Sequence, residues 1–211
     1  MLLNVVPFSK TNPNPFEEIK STYAEQLKKV DDHIKLKLSS HVELVGEMAT
    51  HLMQTGGKRL RPLLTICSSE IFSYKGDRHI NLAACVELIH NATLLHDDVI
   101  DNSLSRRGHK TTNDKWGNKS SILAGDYLLS RCFQMMVDDG SEEILKILSS
   151  VSSEIAQGEI LQLQFEKQVD MVEKNYLDII SAKTASLFGA SMRVGGCINN
   201  RSKKEKEALE S

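Results

Sequence analysis

Leu94-Leu95-His96-Asp97-Asp98-Val99-Ile100-Asp101 closes a run rich in apolar residues that begins at Ala83. An α-helix turns about 100° per residue, so Asp97 and Asp101 share one face, about 40° apart and one turn from each other. Asp98 points to the side. Two carboxylates aimed at one spot repel and raise each other's pKa. A divalent cation between them removes the repulsion. Carboxylate oxygens suit Mg²⁺, and Mg²⁺ usually arrives with a phosphate. The simpler alternative is a solvated helix end. Against it, Leu94, Leu95, Val99 and Ile100 surround the acids with apolar side chains. Acids at a helix C-terminus also oppose the macrodipole. The stretch therefore predicts a buried helix that ends in a Mg²⁺–diphosphate site.

Outward from this helix, the chain reads as more helices. Asn14-Pro15-Phe16-Glu17 is a helix start: Asn at the N-cap, Pro at the first position, Glu at the third. Ile19, Tyr23, Leu27, Val30, Ile34 and Leu38 follow as one apolar stripe. A second helix is expected over Val42 to Met53, with Leu44, Val45, Met48, Ala49 and Leu52 inward and Gly56-Gly57 beyond its end. A third runs from about Leu60 to Phe72, with Pro62 tolerated in its first turn. The fourth, about Asn81 to Asp101, carries the acids. Residues 102–117 read as a polar, basic loop. A fifth helix spans about Ser120 to Val137. A sixth is capped by Ser141 and continues past Gly158 to about Lys167. The pattern Asp170-Met171-Val172-Glu173 opens a seventh as a capping box, and Gly195-Gly196 ends it. Ser202-Lys203-Lys204-Glu205 starts one more, short and without an apolar face to dock. No strand-like alternation interrupts the series. The expected fold is all-α, an antiparallel helix bundle over residues 14–211 after a flexible arm over residues 1–13.

Composition agrees with this class. Aromatic residues make up 5% and prolines number four, which suits helices better than a β-sandwich. A formal net charge of −2 gives no general attraction to nucleic acid or to an anionic membrane. Cys67, Cys85, Cys132 and Cys197 form no C-x-x-C pair, so they are expected as reduced residues rather than disulfides or a zinc site. All but Cys197 fall in apolar, helical contexts. No apolar run reaches the roughly 18 residues of a transmembrane helix, and a cytoplasmic location is expected.

Three cationic stretches accompany the acids. Gly56-Gly57-Lys58-Arg59-Leu60-Arg61-Pro62 places a Gly-Gly turn and three cations before a helix N-terminus. Backbone N–H groups and the positive end of the dipole make such a turn an anion site, although a basic helix start alone is more often plain surface. The spacing is not that of a Walker A loop. Ser105-Arg106-Arg107-Gly108-His109-Lys110 follows the acids closely, so structural salt bridges and phosphate binding are both natural there. Lys183-Thr184 lies among Ile179, Ile180, Ala182, Ala185, Leu187 and Phe188; the lysine either meets an anion or snorkels to solvent. His90 sits two turns before Asp97, where a hydrogen-bonded core histidine is the simpler reading. Together the set describes a pocket for metal and diphosphates.

These motifs, in this order, resemble the trans-type polyprenyl diphosphate synthases, and the resemblance covers nearly the whole chain from about residue 16. Ala124-Gly125-Asp126-Tyr127-Leu128 and Gly158-Glu159 fit further family blocks. The resemblance implies an isoprenoid-synthase fold and a Mg²⁺-dependent prenyltransferase. Its partners would be isopentenyl diphosphate and an allylic diphosphate such as farnesyl diphosphate, and the assembly a homodimer. It implies Asp97 and Asp101 as metal ligands, with Asp98 in support. Arg106 would hold the allylic diphosphate, with Lys183 and Thr184 on the opposite wall. Lys58, Arg61, His90 and Arg107 would hold the diphosphate of isopentenyl diphosphate. Short-chain members place bulky aromatics one turn before the first aspartate. Here Ala92 and Thr93 are small, which implies a longer product of the kind found in quinone side chains.

The family also carries a second aspartate-rich motif. Residues 197–211 contain Glu205, Glu207 and Glu210 but no Asp pair, so a bundle incomplete at its C-terminus is expected. The alternative function is a truncated, inactive or regulatory subunit of such a synthase. A terpene cyclase shares the acidic motif but needs no second diphosphate site. A phosphohydrolase built on His96-Asp97 leaves Arg106, Arg107 and Lys183 unexplained.

Overall fold

A computed structural model describes residues 14–211 other than 55, 167 and 169. The arm expected over residues 1–13 lies outside the described residues. The elements are α1 (Pro15–Thr22), α2 (Ala24–Lys37), α3 (Glu43–Gln54), α4 (Leu60–Glu70) and α5 (Arg78–Ile100). A small hairpin follows, β1 (Ser105–Arg106) and β2 (His109–Lys110), then α6 (Thr112–Trp116), α7 (Asn118–Asp139) and α8 (Glu142–Phe165). The chain continues through α9 (Glu173–Ile180), a π-helical turn (Ser181–Ala185), α10 (Ser186–Ile198) and α11 (Lys203–Glu210).

α5 is the axis of the bundle. A helix that is apolar nearly all round must be buried on nearly all sides. Leu82, Ala83, Ala84, Cys85, Val86, Leu88 and Ala92 are completely buried, and α5 packs against α2, α4, α6, α7 and α10. The small residues in this list let neighbouring backbones approach closely. Polar side chains are therefore confined to a few positions of α5, mostly toward its C-terminal end. That confinement places the site. No helix among the described residues is long and apolar enough to cross a membrane.

Several sequence expectations need correction. The first apolar stripe does not run through one helix: the chain turns at Tyr23, and Ile19 stays exposed while Leu27, Val30, Ile34 and Leu38 enter the core. Leu44 is exposed, not inward. The basic loop over 102–117 contains the hairpin and α6. Its turn is Arg107-Gly108, with φ of 53° and 80°, and two positive φ values match the right-handed twist of the flanking strands. Asp170 is not an N-cap; Val172 holds that position without a side-chain cap. Cys197 lies inside α10 and is buried, and all four cysteines are free.

The last helix was expected to have nothing to dock with, yet it docks. Ser202 and Glu205 complete the capping box. Lys206 Nζ then reaches Glu143 at 2.7 Å, and Arg193 Nη1 reaches Glu210 at 2.6 Å. Gly189 and Gly196 bring α10 against it: a Cβ on Gly196 would lie 2.9 Å from Leu209 Cδ1. Two tertiary ion pairs and two glycines replace the missing apolar stripe.

Candidate active site

The C-terminal half of α5 faces a cavity of about 540 Å³. Its wall includes Lys58, Arg61, His90, Arg106 and Arg107, five of the residues singled out from sequence. Asp98 lines it too, together with Glu87, Asn91 and Phe188. The other four expected residues do not. Asp97, Asp101, Lys183 and Thr184 lie outside this wall, and Thr184 is exposed.

Two short segments bring cations to the cavity. In the loop before α4, Arg59 is left-handed (φ 53°, ψ 34°), and the helix starts at Leu60. Lys58 and Arg61 flank that bend and reach the cavity; Arg61 stacks on Phe188, its Cζ 4.4 Å from the ring centre. The hairpin supplies the second set. Arg106 Nε and Nη2 both donate to Asp98 Oδ1, at 2.9 and 2.7 Å. Arg107 Nη1 donates to the Gly56 carbonyl, tying the hairpin to the Gly-Gly turn. Asn113 Nδ2 anchors the hairpin from below through the carbonyls of Asp98 and Ser103, at 3.2 and 3.0 Å. His51 Nε2 lies 2.8 Å from the Lys110 carbonyl.

His90 meets a strongly positive field. Burial first, then Arg61, Arg107, Arg106 and Arg59, push its pKa down to about 3. It is neutral at physiological pH, so one ring nitrogen donates and the other accepts. Burial also makes the Arg61 guanidinium easier to deprotonate than usual, offset in part by Glu87.

A second centre lies at the end of α5, toward α8 and the π turn. Asp97 is pushed up to about 6, by burial first and then by the neighbouring Glu159; Asp101 adds to this, while Lys183 and Arg106 oppose it. Arg106 therefore acts on both His90 and Asp97 and stands between the two centres. Lys183 Nζ pairs with Glu159 and donates to Gln162 Oε1 at 2.8 Å. The lysine meets an anion, as one of its two sequence readings required. The π turn does this: one extra residue in the turn re-aims the side chains that follow, and such turns are frequent at functional sites. It packs on α8 where Gly158 has no side chain; a Cβ there would lie 2.8 Å from Ala182 Cβ and 3.2 Å from Lys183 N.

No three Asp, Glu, His or Cys side chains converge as a closed metal cage among the described residues. The donor set nonetheless suits a hard cation. Glu159 and Asp101 both press on Asp97, against Lys183 and Arg106, and Glu159 Oε1 is buried without a hydrogen bond. Mg²⁺ usually takes one or two carboxylates and fills its shell with water and phosphate oxygens. His96 does not join this centre. Its Nε2 lies 3.2 Å from the Ile122 carbonyl and 3.5 Å from Asp126, against α7 and away from Glu159 and Lys183.

Sequence reasoning passed over Glu87, Arg59 as a separate residue, Asn113 and Gln162. A glutamate inside an apolar helical run was a readable signal for Glu87. Nothing in the sequence marked Gln162, which matters only because the π turn brings Lys183 to it.

Comparison with known proteins agrees with this geometry. The family model described as Polyprenyl synthetase matches residues 42–211. The chain is 38% identical over 194 residues to octaprenyl diphosphate synthase of Escherichia coli (strain K12), covering 92% of this chain and 60% of that protein. It is 40% identical over 173 residues to an all-trans-nonaprenyl-diphosphate synthase of Rhodobacter capsulatus, covering 82% and 53%. Among solved structures, a decaprenyl diphosphate synthase from Rhodobacter capsulatus superposes with a TM-score of 0.89 at 43% identity, over 93% of this chain and 61% of that one. A polyprenyl synthase from Caulobacter crescentus CB15, complexed with calcium and isoprenyl diphosphate, gives 0.90 at 38%, over 92% and 60%. The chain thus spans between 53% and 61% of the length of these relatives. A match that takes in the Gly-Gly turn, the acidic end of α5, the hairpin and the π turn places the chain in the polyprenyl synthetase family.

Proposed function

We propose that this chain is the substrate-binding and metal-binding part of a prenyltransferase that condenses isopentenyl diphosphate with an allylic diphosphate to give a polyprenyl diphosphate. One observation carries the reading: five cationic or imidazole side chains from three segments converge on one cavity beside an acidic centre on the same helix. Lys58, Arg61, His90 and Arg107 hold the diphosphate of isopentenyl diphosphate. Arg106, Lys183 and Thr184 hold the allylic diphosphate. Asp97 and Asp101 hold Mg²⁺, with Asp98 behind them. Bound Mg²⁺ supplies neutralising charge to the departing diphosphate. The relative solved with calcium and isoprenyl diphosphate supports a divalent ion here.

The chain's own residues do the rest. Arg106, fixed by Asp98, and Lys183, fixed by Glu159 and Gln162, stand ready to stabilise charge as the allylic C–O bond breaks. The isopentenyl double bond then attacks the allylic cation, and a proton leaves to the released diphosphate. The apolar wall around Leu94, Leu95 and Phe188 keeps water from the cation. The small side chains of Ala92 and Thr93, one turn before Asp97, are the sequence basis for a long product. A homodimer in the cytoplasm completes the reading.

The test supplies isopentenyl diphosphate and farnesyl diphosphate with Mg²⁺ and measures elongated product. Product that disappears with EDTA is expected. Absence of product, with activity appearing only after a catalytic partner subunit is added, would replace the enzyme by a non-catalytic subunit.

A further inference from the structure

The motif Gly56–Pro62 carries three cations that all line the cavity, but one of them, Arg59, has its guanidinium committed to carboxylates. Arg59 has an 11% exposed side chain. Its Nη1 donates to Glu87 Oε1 at 2.6 Å, its Nε lies 3.0 Å from Asp31 Oδ1, and its Nη2 lies 3.8 Å from Met53 Sδ. Arg59 is also the left-handed residue at which the loop bends into α4. A non-glycine residue holds that conformation only when its surroundings over-determine it. Here two carboxylates fix it, Asp31 on α2 and Glu87 on the central helix; Glu87 is the more buried, 5% exposed and one turn before Asn91 on the cavity face.

The same device appears a second time. Asp98, 6% exposed on the same helix, holds Arg106, and the next residue, Arg107, is left-handed with φ of 53°. Each buried carboxylate of α5 in this cavity fixes one arginine of a bent segment, and the neighbouring cations reach the cavity. The second pair belongs to residues already assigned above; the first does not.

We infer that Glu87 is a positioning residue: through Arg59 it holds the bend before α4 so that Lys58 and Arg61 present their charges to a diphosphate. The inference rests on the diphosphate reading of the cavity. Its consequence runs against simple electrostatics. Removing a carboxylate from the wall of an anion cavity raises the positive potential and tightens anion binding if charge alone matters. Losing the bend separates Lys58 from Arg61 and weakens it. The sign of the change therefore separates the two roles.

Binding of inorganic pyrophosphate to the chain, measured by calorimetry, tests this. Glu87→Gln is expected to weaken binding by about 10-fold or more, in the range typical of residues that orient a ligand-contacting group. Glu87→Asp keeps the charge with a shorter reach and is expected to restore part of the affinity. Adding Glu87→Gln to Arg59→Met should change little beyond Arg59→Met alone, because the arginine change already breaks the Glu87 contact along with those to Asp31 and Met53. Arg78→Met controls for plain destabilisation. It breaks the Arg78–Asp139 pair, whose carboxylate is 1% exposed, at the far end of α5, and should lower Tm with affinity unchanged. Lys58→Met removes a proposed direct contact and should weaken binding. Unchanged or tighter binding in Glu87→Gln, with Lys58→Met weakened, overturns the inference. So does an affinity loss that Arg78→Met reproduces at a comparable drop in Tm. If Glu87→Gln does not fold, Glu87→Asp and Arg59→Lys carry the same comparison. Failure of the unaltered chain to bind pyrophosphate overturns the diphosphate reading itself, and this inference with it.

Discussion

On the side of α5 that meets the Gly56–Arg61 loop, each carboxylate has its own arginine: Glu87 holds Arg59 and Asp98 holds Arg106. Lys58, Arg61 and Arg107 are left without a carboxylate among the described ion pairs of this wall. On the side that meets α8 and the π turn the balance reverses. Glu159 pairs with Lys183, and Asp97, pressed by burial, Glu159 and Asp101, holds its proton more tightly than a free carboxylate. One wall has spare positive charge and suits an anion. The other has spare negative charge and suits a cation. The lesson is that the count of charges in a motif says little until each charge is assigned its partner. Among the described residues, of the three cations before α4 only Arg59 pairs with carboxylates, and of the three aspartates at the end of α5 only Asp98 pairs with an arginine.

This contrast can be broken most severely at the acidic wall. Asp97→Ala removes a carboxylate that no other residue replaces, and product formation should fall by about 10³-fold or more. Mg²⁺ should also stop raising the thermal midpoint of the variant, a readout independent of turnover. Near-normal turnover would sink the metal assignment.

The second break is steric. Gly158→Ala places a methyl group against Ala182 Cβ and the Lys183 backbone, neither of which yields easily. Overpacking of this kind costs about 1–3 kcal/mol. Urea denaturation should show it, and Lys183 should lose its contacts with Glu159 and Gln162.

A third concerns pH, and it is read at the cationic wall. His90 has an unfolded pKa near 6.5 and a folded one of about 3. Between these values the unfolded chain binds the extra proton, so the folded state is favoured above pH 6.5 and loses stability as pH falls toward 3. His90→Gln should flatten the urea midpoint across this window, by an amount of up to a few kcal/mol. An unchanged slope would mean that the histidine is solvated.

The smallest effect on stability belongs to Gly57→Ala. Its new methyl group would meet Arg107 Nη1 at 2.8 Å, the far end of a flexible side chain. Stability should change by about 0.5 kcal/mol or less, while pyrophosphate affinity falls because Arg107 is displaced. The pair Gly158→Ala and Gly57→Ala thus sharpens the comparison: one wall is set by backbone packing, the other by movable side chains.

Much of this was legible in the residues themselves. The helical stripe Leu27, Val30, Ile34, Leu38, the caps at Asn14 and Ser141, and the apolar run ending in Asp97–Asp101 needed only local periodicity and capping chemistry. The cations were legible as a set, because charge in an otherwise helical chain stands out. Their partners were not. Pairing Arg59 with Glu87 spans 28 residues, and pairing Lys183 with Gln162 spans 21. No local rule reaches that far.

The sequence by itself determined the class of the fold and marked the candidate residues for chemistry, since helix periodicity and the scarcity of charge inside α5 are local properties. Tertiary structure alone decided which charges are spent on each other and which remain for a ligand. It decided the π turn that aims Lys183, the left-handed bend at Arg59, and the docking of α11 through Lys206 and Arg193. Each depends on contacts between segments far apart in the chain. Such contacts exist only once burial has brought the helices together and made an unpaired charge too costly to leave.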